Sequence, residues 1–258
     1  MQNKKTLSTI AGIALAASLL LSPATSQARG WGRGPGNGNQ QAGLSTVVAN
    51  LPMQELSAEE EVGLAKMREE EKLARDVYQV LYQKWNHRVF GNIARSEQRH
   101  MDAVRALLDK YSLPDPVTDP SVGVFTSPEL QELYNSLVAQ GQQSLVAAFR
   151  VGATIEDLDL KDLHDLLAQT DNTDIQAVYQ NLAKGSRNHL RAYTSQLSMN
   201  GETYQAQFLT QEQVEDIITS PMERGPVSGT TMQGTRRGRG RGRHLAGAMS
   251  GCRYPLNN

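Results

Sequence analysis

Glu97 and His100 lie three residues apart in FGNIARSEQRHMDAVRALLDKY, on a face whose other members are Phe90, Ile93, Met101, Val104, Leu107, Leu108 and Tyr111. In a helix that spacing points both side chains to one side. A carboxylate and an imidazole therefore meet where water should be scarce. Three more segments break an apolar stripe in the same way. Steps of three and four give Leu64, Met67, Glu71, Ala74, Tyr78, Leu81 and Trp85 in the first, and Leu145, Ala148, Phe149, Gly152, Ile155, Glu156, Asp159, Leu163 and Leu166 in another. The last reads Ile175, Val178, Leu182, Ser186, His189, Tyr193 and Leu197. Buried unpaired carboxylates cost several kcal/mol each, so four such interruptions call for one shared explanation. A pair of divalent cations supplies it, because their charge offsets the acids and imidazole nitrogen suits iron, manganese or zinc. A buried salt-bridge network is the rival, with Arg75, Arg99, Arg187 and Arg191 balancing the acids without metal.

These residues need four long helices to carry them. The first is expected from Ser57, with Glu60 completing a capping box, and its Glu69 and Glu70 should lie toward water. The second runs from about Val89 to Lys110. A Pro-rich crossover follows, then a short helix capped by Ser127 with Pro128 at its first position, ending at Gly141. The third long helix spans about Ser144 to Gln169, with Asp157, Asp162 and Asp165 on its outer face. The fourth starts near Thr173 with Gln176 as its box partner, and a short helix capped by Thr210 and Gln213 closes the domain. Helix bundles assemble di-metal sites from such parts, a Glu from each of two helices and Glu-x-x-His from the others. Tyr78 and Tyr193 read as packing residues within hydrogen-bond reach of such a site. His87, His164 and His244 carry no role.

Glu71-Lys-Leu-Ala74-Arg75-Asp-Val-Tyr78 resembles the E-x-x-A-R-x-x-Y pattern of rubrerythrin-type proteins, and Glu97-Gln-Arg-His100 their second-helix E-x-x-H. The segments EEEKLARDVYQVLYQKW, FGNIARSEQRHMDAV, LYNSLVAQG, VGATIEDLDLKDL and GSRNHLRAY are similar to the ferritin-like domain-of-unknown-function family 2202, over about Ser57 to Ile218. The resemblance implies an all-α, ferritin-like four-helix bundle, with a long crossover carrying a short helix between the second and third long helices and a short C-terminal helix. It also implies a metal set of Glu71, Glu97, His100, Glu156, Asp159 and His189, with Glu156 as a bridging carboxylate. The cofactor it implies is iron, as a di-iron centre, with manganese or zinc as substitutes. The fourth helix departs from the pattern, since Ser186 stands where a glutamate is expected. The activity implied is oxygen- or peroxide-dependent redox chemistry; a non-catalytic metal-binding or surface-interaction protein is the alternative. No CxxC pair is present for a rubredoxin-type iron, so an electron donor would be external.

The ends differ in composition from this middle. Residues 1–28 read as a signal peptide, with Lys4 and Lys5 before an apolar run from Ile10 to Leu21 and a small-residue cleavage site at Ser26-Gln27-Ala28. That run is well short of the ~20 residues that span a bilayer. The expected location is secreted or periplasmic. Residues 29–56 form a Gly-rich linker, 57–220 the helical domain and 221–258 an Arg/Gly-rich tail, with both flanks expected to be disordered. Cys252 is the single cysteine, so no internal disulfide can form. The formal net charge is -1, yet no acid follows Arg224, so the body is acidic and the tail basic. An anionic envelope surface suits that tail as partner, and export argues against nucleic acid. Metal ions are the other expected partners. No interface, and hence no oligomeric state, can be read from the sequence.

Overall fold

The computed structural model describes residues 48–225. The signal-peptide reading, most of the Gly-rich linker, the basic tail, His244 and Cys252 lie outside the described residues. After a helical turn at residues 48–50, six helices follow in order: α1 Ala58–Trp85, α2 Arg88–Lys110, α3 Pro128–Gly141, α4 Leu145–Gln169, α5 Thr173–Met199 and α6 Gln211–Thr219. There is no strand among the described residues, and none of their helices is long and apolar enough to cross a membrane. The architecture is an all-α bundle of four long helices. Helix α1 packs along α2 and α4 along α5, and the two hairpins close through α1 against α4 and α2 against α5. Helix α3 covers α1 and α4 from the side, and α6 rests on α5.

Local chemistry sets the boundaries. Ser57 and Glu60 form a reciprocal capping box, as do Thr210 and Gln213. Ser127 caps α3 ahead of Pro128, and Ser144 caps α4. Asn86 ends α1 with φ 49°, a left-handed conformation that Asn tolerates, and two residues suffice to turn the chain into α2. Helix α5 differs from expectation. Its cap, Asn172, makes no side-chain capping bond, and Gln176 donates instead to the Thr170 carbonyl at 2.8 Å. Asn172 is drawn away because its amide donates to the Glu55 carbonyl at 3.1 Å.

Two predicted outer-face acids lie inside and a third is half-buried. Asp157 is fully buried and accepts from Tyr204 Oη at 2.9 Å and from the backbone N–H groups of Gln207, Phe208 and Leu209. It organises the loop that delivers α6. Asp162 is buried against Lys66 at 2.7 Å, and Glu70, half-buried, pairs with the same lysine at 3.5 Å. Partners distant in sequence meet Asp157 and Asp162, which a helical stripe does not reveal, whereas Glu70 meets Lys66 one turn earlier on its own helix.

The crossover is locked to α1 by a second buried charge cluster. Asp76 accepts from Lys72 Nζ at 2.6 Å, Arg75 Nε at 2.7 Å and Gly123 N at 3.0 Å. Lys72 also donates to the Ser121 carbonyl and lies over the Phe125 ring, while Arg75 reaches Gln98 and the Pro120 carbonyl. Arg68 grips Asp115 with two parallel bonds.

Candidate metal centre

The four interrupted stripes converge at mid-bundle. Glu71 from α1, Glu97 and His100 from α2, Glu156 from α4 and His189 from α5 turn inward, and each glutamate is only 2% exposed. Two sets of donors result: Glu71, Glu97 and His100, and Glu97, Glu156 and His189, with the ligand atoms of each set within 4.8 Å of one another. Glu97 belongs to both. Its Oε2 lies 2.7 Å from His100 Nδ1, and its Oε1 lies 2.8 Å from His189 Nδ1. Glu71 Oε2 is 3.2 Å from His100 Nδ1, and Glu156 Oε2 is 3.4 Å from His189 Nδ1. The two imidazoles stack with centroids 5.6 Å apart. Glu97 is the carboxylate common to the two sets, and Glu156, the bridging acid that the resemblance implies, belongs to one of them.

Several of these buried donors lack a hydrogen-bond partner. Glu71 Oε1, Glu97 Oε1 and His189 Nδ1 have none. The last two are close, but their alignment does not set an N–H on a lone pair. Buried polar atoms are normally satisfied; Glu97 Oε1 and His189 Nδ1 meet only as an ion pair, and Glu71 Oε1 has no hydrogen bond at all. This donor set, carboxylate oxygen with imidazole nitrogen, fits iron, manganese or zinc.

The surrounding residues hold the donors in place. Tyr78, one turn beyond Ala74 on the α1 seam, donates from Oη to Glu156 Oε1 at 2.6 Å and fixes that carboxylate. Tyr193 packs its ring 5.3 Å from that of Tyr78. Gly185 has a role that its sequence position does not advertise. A Cβ there would stand 2.5 Å from His100 Nε2 and 2.6 Å from Cε1. The imidazole of α2 therefore reaches the centre only because α5 has no side chain at that turn. A glycine inside a helix is unfavourable on its own, and that mismatch was the available signal.

Asp159 stands apart from both donor sets. Its carboxylate is held by the Ser186 hydroxyl, whose oxygen also lies 3.2 Å from the Leu182 carbonyl. Ser186 thus occupies the expected glutamate position by binding an acid rather than supplying one. The four arginines of the rival network also lie elsewhere. Arg75 belongs to the Asp76 cluster, Arg99 bonds Ser96 and the Arg95 carbonyl, and Arg187 and Arg191 bind Glu223. None of these contacts reaches the five converging donors.

Burial and mutual charge shape the protonation of the centre. Burial pushes Glu71 and Glu156 up, against the pull of His100 and His189 respectively. Burial would do the same to Glu97, but the two imidazoles hold it well below the usual carboxylate range. Burial disfavours charge on His100, yet Glu71 and Glu97 raise it well above the ordinary value. His189 likewise resists burial and rises to about 10 through Glu97 and Glu156. Asp159, raised by burial and by Glu156, titrates at about 7. Protons on the two imidazoles thus offset the buried carboxylates around them.

A sequence profile described as "Uncharacterized protein domain (DUF2202)" matches residues 60–221. The chain belongs to this family. It is 55% identical over 178 residues to "Uncharacterized protein MJ0754" of Methanocaldococcus jannaschii, covering 69% of this chain and 96% of that protein. It is also similar to the crystal structure of "hypothetical protein MJ0754", with a TM-score of 0.66 over 67% of this chain and 99% of that one. The matched stretch contains all five converging residues together with Tyr78, Gly185 and Ser186.

Proposed function

We propose that this DUF2202 protein is a ferritin-like metal protein that holds two divalent ions, iron foremost, and turns over oxygen or peroxide. The observation that supports this reading most is the convergence of three buried carboxylates and two imidazoles from four helices on Glu97. One ion would be held by Glu71, Glu97 and His100, the other by Glu97, Glu156 and His189. Each set offers three protein residues, which leaves coordination positions for water or substrate. The bound iron supplies one-electron redox chemistry at those positions.

The chain's own residues have separate tasks. Glu97 spans both sets and makes their occupancy interdependent. Tyr78 orients Glu156, Gly185 admits His100, and Ser186 restrains Asp159 outside the donor sets. Both imidazoles give up a proton when a cation arrives, because only the neutral ring has a free lone pair for it. Export to the cell envelope, attachment of the basic tail to an anionic surface and an external electron donor belong to the same proposal.

Metal analysis of the purified protein beside Glu97→Ala and His189→Ala tests it. Wild type should bind two equivalents of iron, His189→Ala should lose one of them, and Glu97→Ala should lose both. Iron at 100 times its Kd should stabilise the fold by about 2.7 kcal/mol, reversed by chelator. Ferrous loading in air should give an absorbance band that bleaches on reduction. A metal-free protein whose melting temperature ignores both iron and chelator would remove this reading.

A further inference from the structure

All 27 acidic residues of the chain lie within residues 48–225, where they outnumber the bases. Most lysines and arginines described there are ion-paired, Arg105 with Asp109 and Lys161 with Asp165 among them. One face departs from this pattern. Lys84, Arg88, Arg95 and Arg99 are exposed, and none has a carboxylate partner among the described residues. Arg95 Nη2 donates to Asn92 Oδ1 at 2.6 Å, and Arg99 donates to Ser96 Oγ and the Arg95 carbonyl. Between residues 77 and 101 the single acid is Glu97, which is buried in the seam.

Steps of seven and four residues hold Arg88, Arg95 and Arg99 on one side of α2, opposite Glu97, over about 16 Å of helix. An aromatic ring interrupts this stripe. A Cβ at Gly91 would stand 3.0 Å from Tyr82 Cδ2 and Cε2, so the tyrosine of α1 rests on α2 where the glycine leaves room. Gly91 lies three residues after Arg88 and four before Arg95, which seats Tyr82 between them, 39% exposed. Lys84 follows in the last turn of α1.

A convex row of cations with an amphipathic ring among them suits a broad anionic sheet. Single-stranded nucleic acid is held in grooves that track its backbone, and this stripe is the outer side of one helix. Lipid headgroups can gather around separate cations, and tyrosine is at home at their level. The acids on the rest of the body are repelled by such a surface and so turn this face toward it.

We propose that Lys84, Arg88, Arg95 and Arg99, with Tyr82, form the face by which the folded domain lies on a bilayer of anionic phospholipid. The face is independent of the metal centre. It gives the anionic surface proposed for the tail a second contact, on the body.

Vesicle partition of residues 29–258, which keep every described residue, tests it. The vesicles hold phosphatidylglycerol and phosphatidylcholine in equal parts, with pure phosphatidylcholine as the neutral reference. Arg88→Gln/Arg95→Gln/Arg99→Gln should weaken partition onto the anionic vesicles by about 100-fold at low salt, with an unchanged melting temperature. Arg105→Gln/Lys161→Gln, which removes two ion-paired cations elsewhere, should stay near wild type. Exchange of Arg236, Arg237, Arg239, Arg241 and Arg243 for Gln reads the share of the tail. Wild-type partition in the triple variant would overturn the face, and a loss on tail exchange alone would leave only the tail contact standing. Single-stranded DNA binding that the triple variant loses, with vesicle partition unaffected, would overturn the face in favour of nucleic acid.

Discussion

Glu71 and Lys72 are neighbours in the chain, yet each anchors a different buried charge cluster on α1. Lys72 faces the crossover, where Asp76 receives two cationic side chains and a backbone N–H, so its charge is met in full. Glu71 faces the bundle interior, where it meets only His100, and one of its oxygens has no hydrogen-bond partner. Both carboxylates are almost wholly removed from water. The difference shows how a structural ion network is told from a ligand set. The first contains permanent cations and closes its hydrogen bonds; the second gathers three acids around two imidazoles, whose charge depends on a proton, and leaves Glu71 Oε1 without a hydrogen bond.

The sharpest way to break this comparison is to treat both clusters alike. Asp76→Ala leaves Lys72 and Arg75 buried without their counter-ion and should cost about 3–5 kcal/mol in urea unfolding, with iron content per folded molecule unchanged. Glu71→Gln should do the opposite, abolishing the iron-induced rise in melting temperature while the metal-free protein melts no lower. If the two variants behaved the same way, the clusters would not differ in kind.

Gly185→Ala comes next. The added methyl forces His100 aside and should weaken iron binding by roughly 10–100-fold, with an overpacking cost of about 1–3 kcal/mol. A smaller effect is expected of Tyr78→Phe. It frees Glu156 Oε1 and should reduce iron affinity by about 10-fold, at a stability cost of about 1 kcal/mol. Titration calorimetry reads both affinities.

The smallest signal is protonic. His189 titrates at about 10, above its ordinary 6.5, so the metal-free fold holds that proton at pH 7. Its contribution to metal-free stability is complete below pH 6.5 and is lost as pH rises through about 10. Metal binding at pH 7 should therefore release protons, visible as a dependence of the binding heat on the buffer, and affinity should rise with pH. The Asp76 cluster exchanges no ligand, so Asp76→Ala should leave that release unchanged.

Much of the site was legible because helical periodicity is strict. An acid or histidine at a seam position must turn inward, and Glu71, Glu97, His100, Glu156 and His189 all do so. Asp159 shares the seam of α4 yet misses both donor sets, because Ser186 on another helix captures it. Asp162 was read as solvated since nothing local shows that Lys66 of another helix will meet it, and Glu70 since a pair with Lys66 one turn earlier is usual on a wet face. Gly185 escaped notice for a similar reason. Its importance lies in the space it leaves for a ring from α2.

Helix boundaries, the apolar seams and the inward direction of five metal-type side chains follow from the amino-acid order alone, since capping and a 3.6-residue repeat act within a few residues. Tertiary packing decided which acid is shared by two imidazoles, which acid a serine holds back, and which buried charges find cations of their own. Those outcomes depend on distances between helices far apart in the chain, and no local rule sets them.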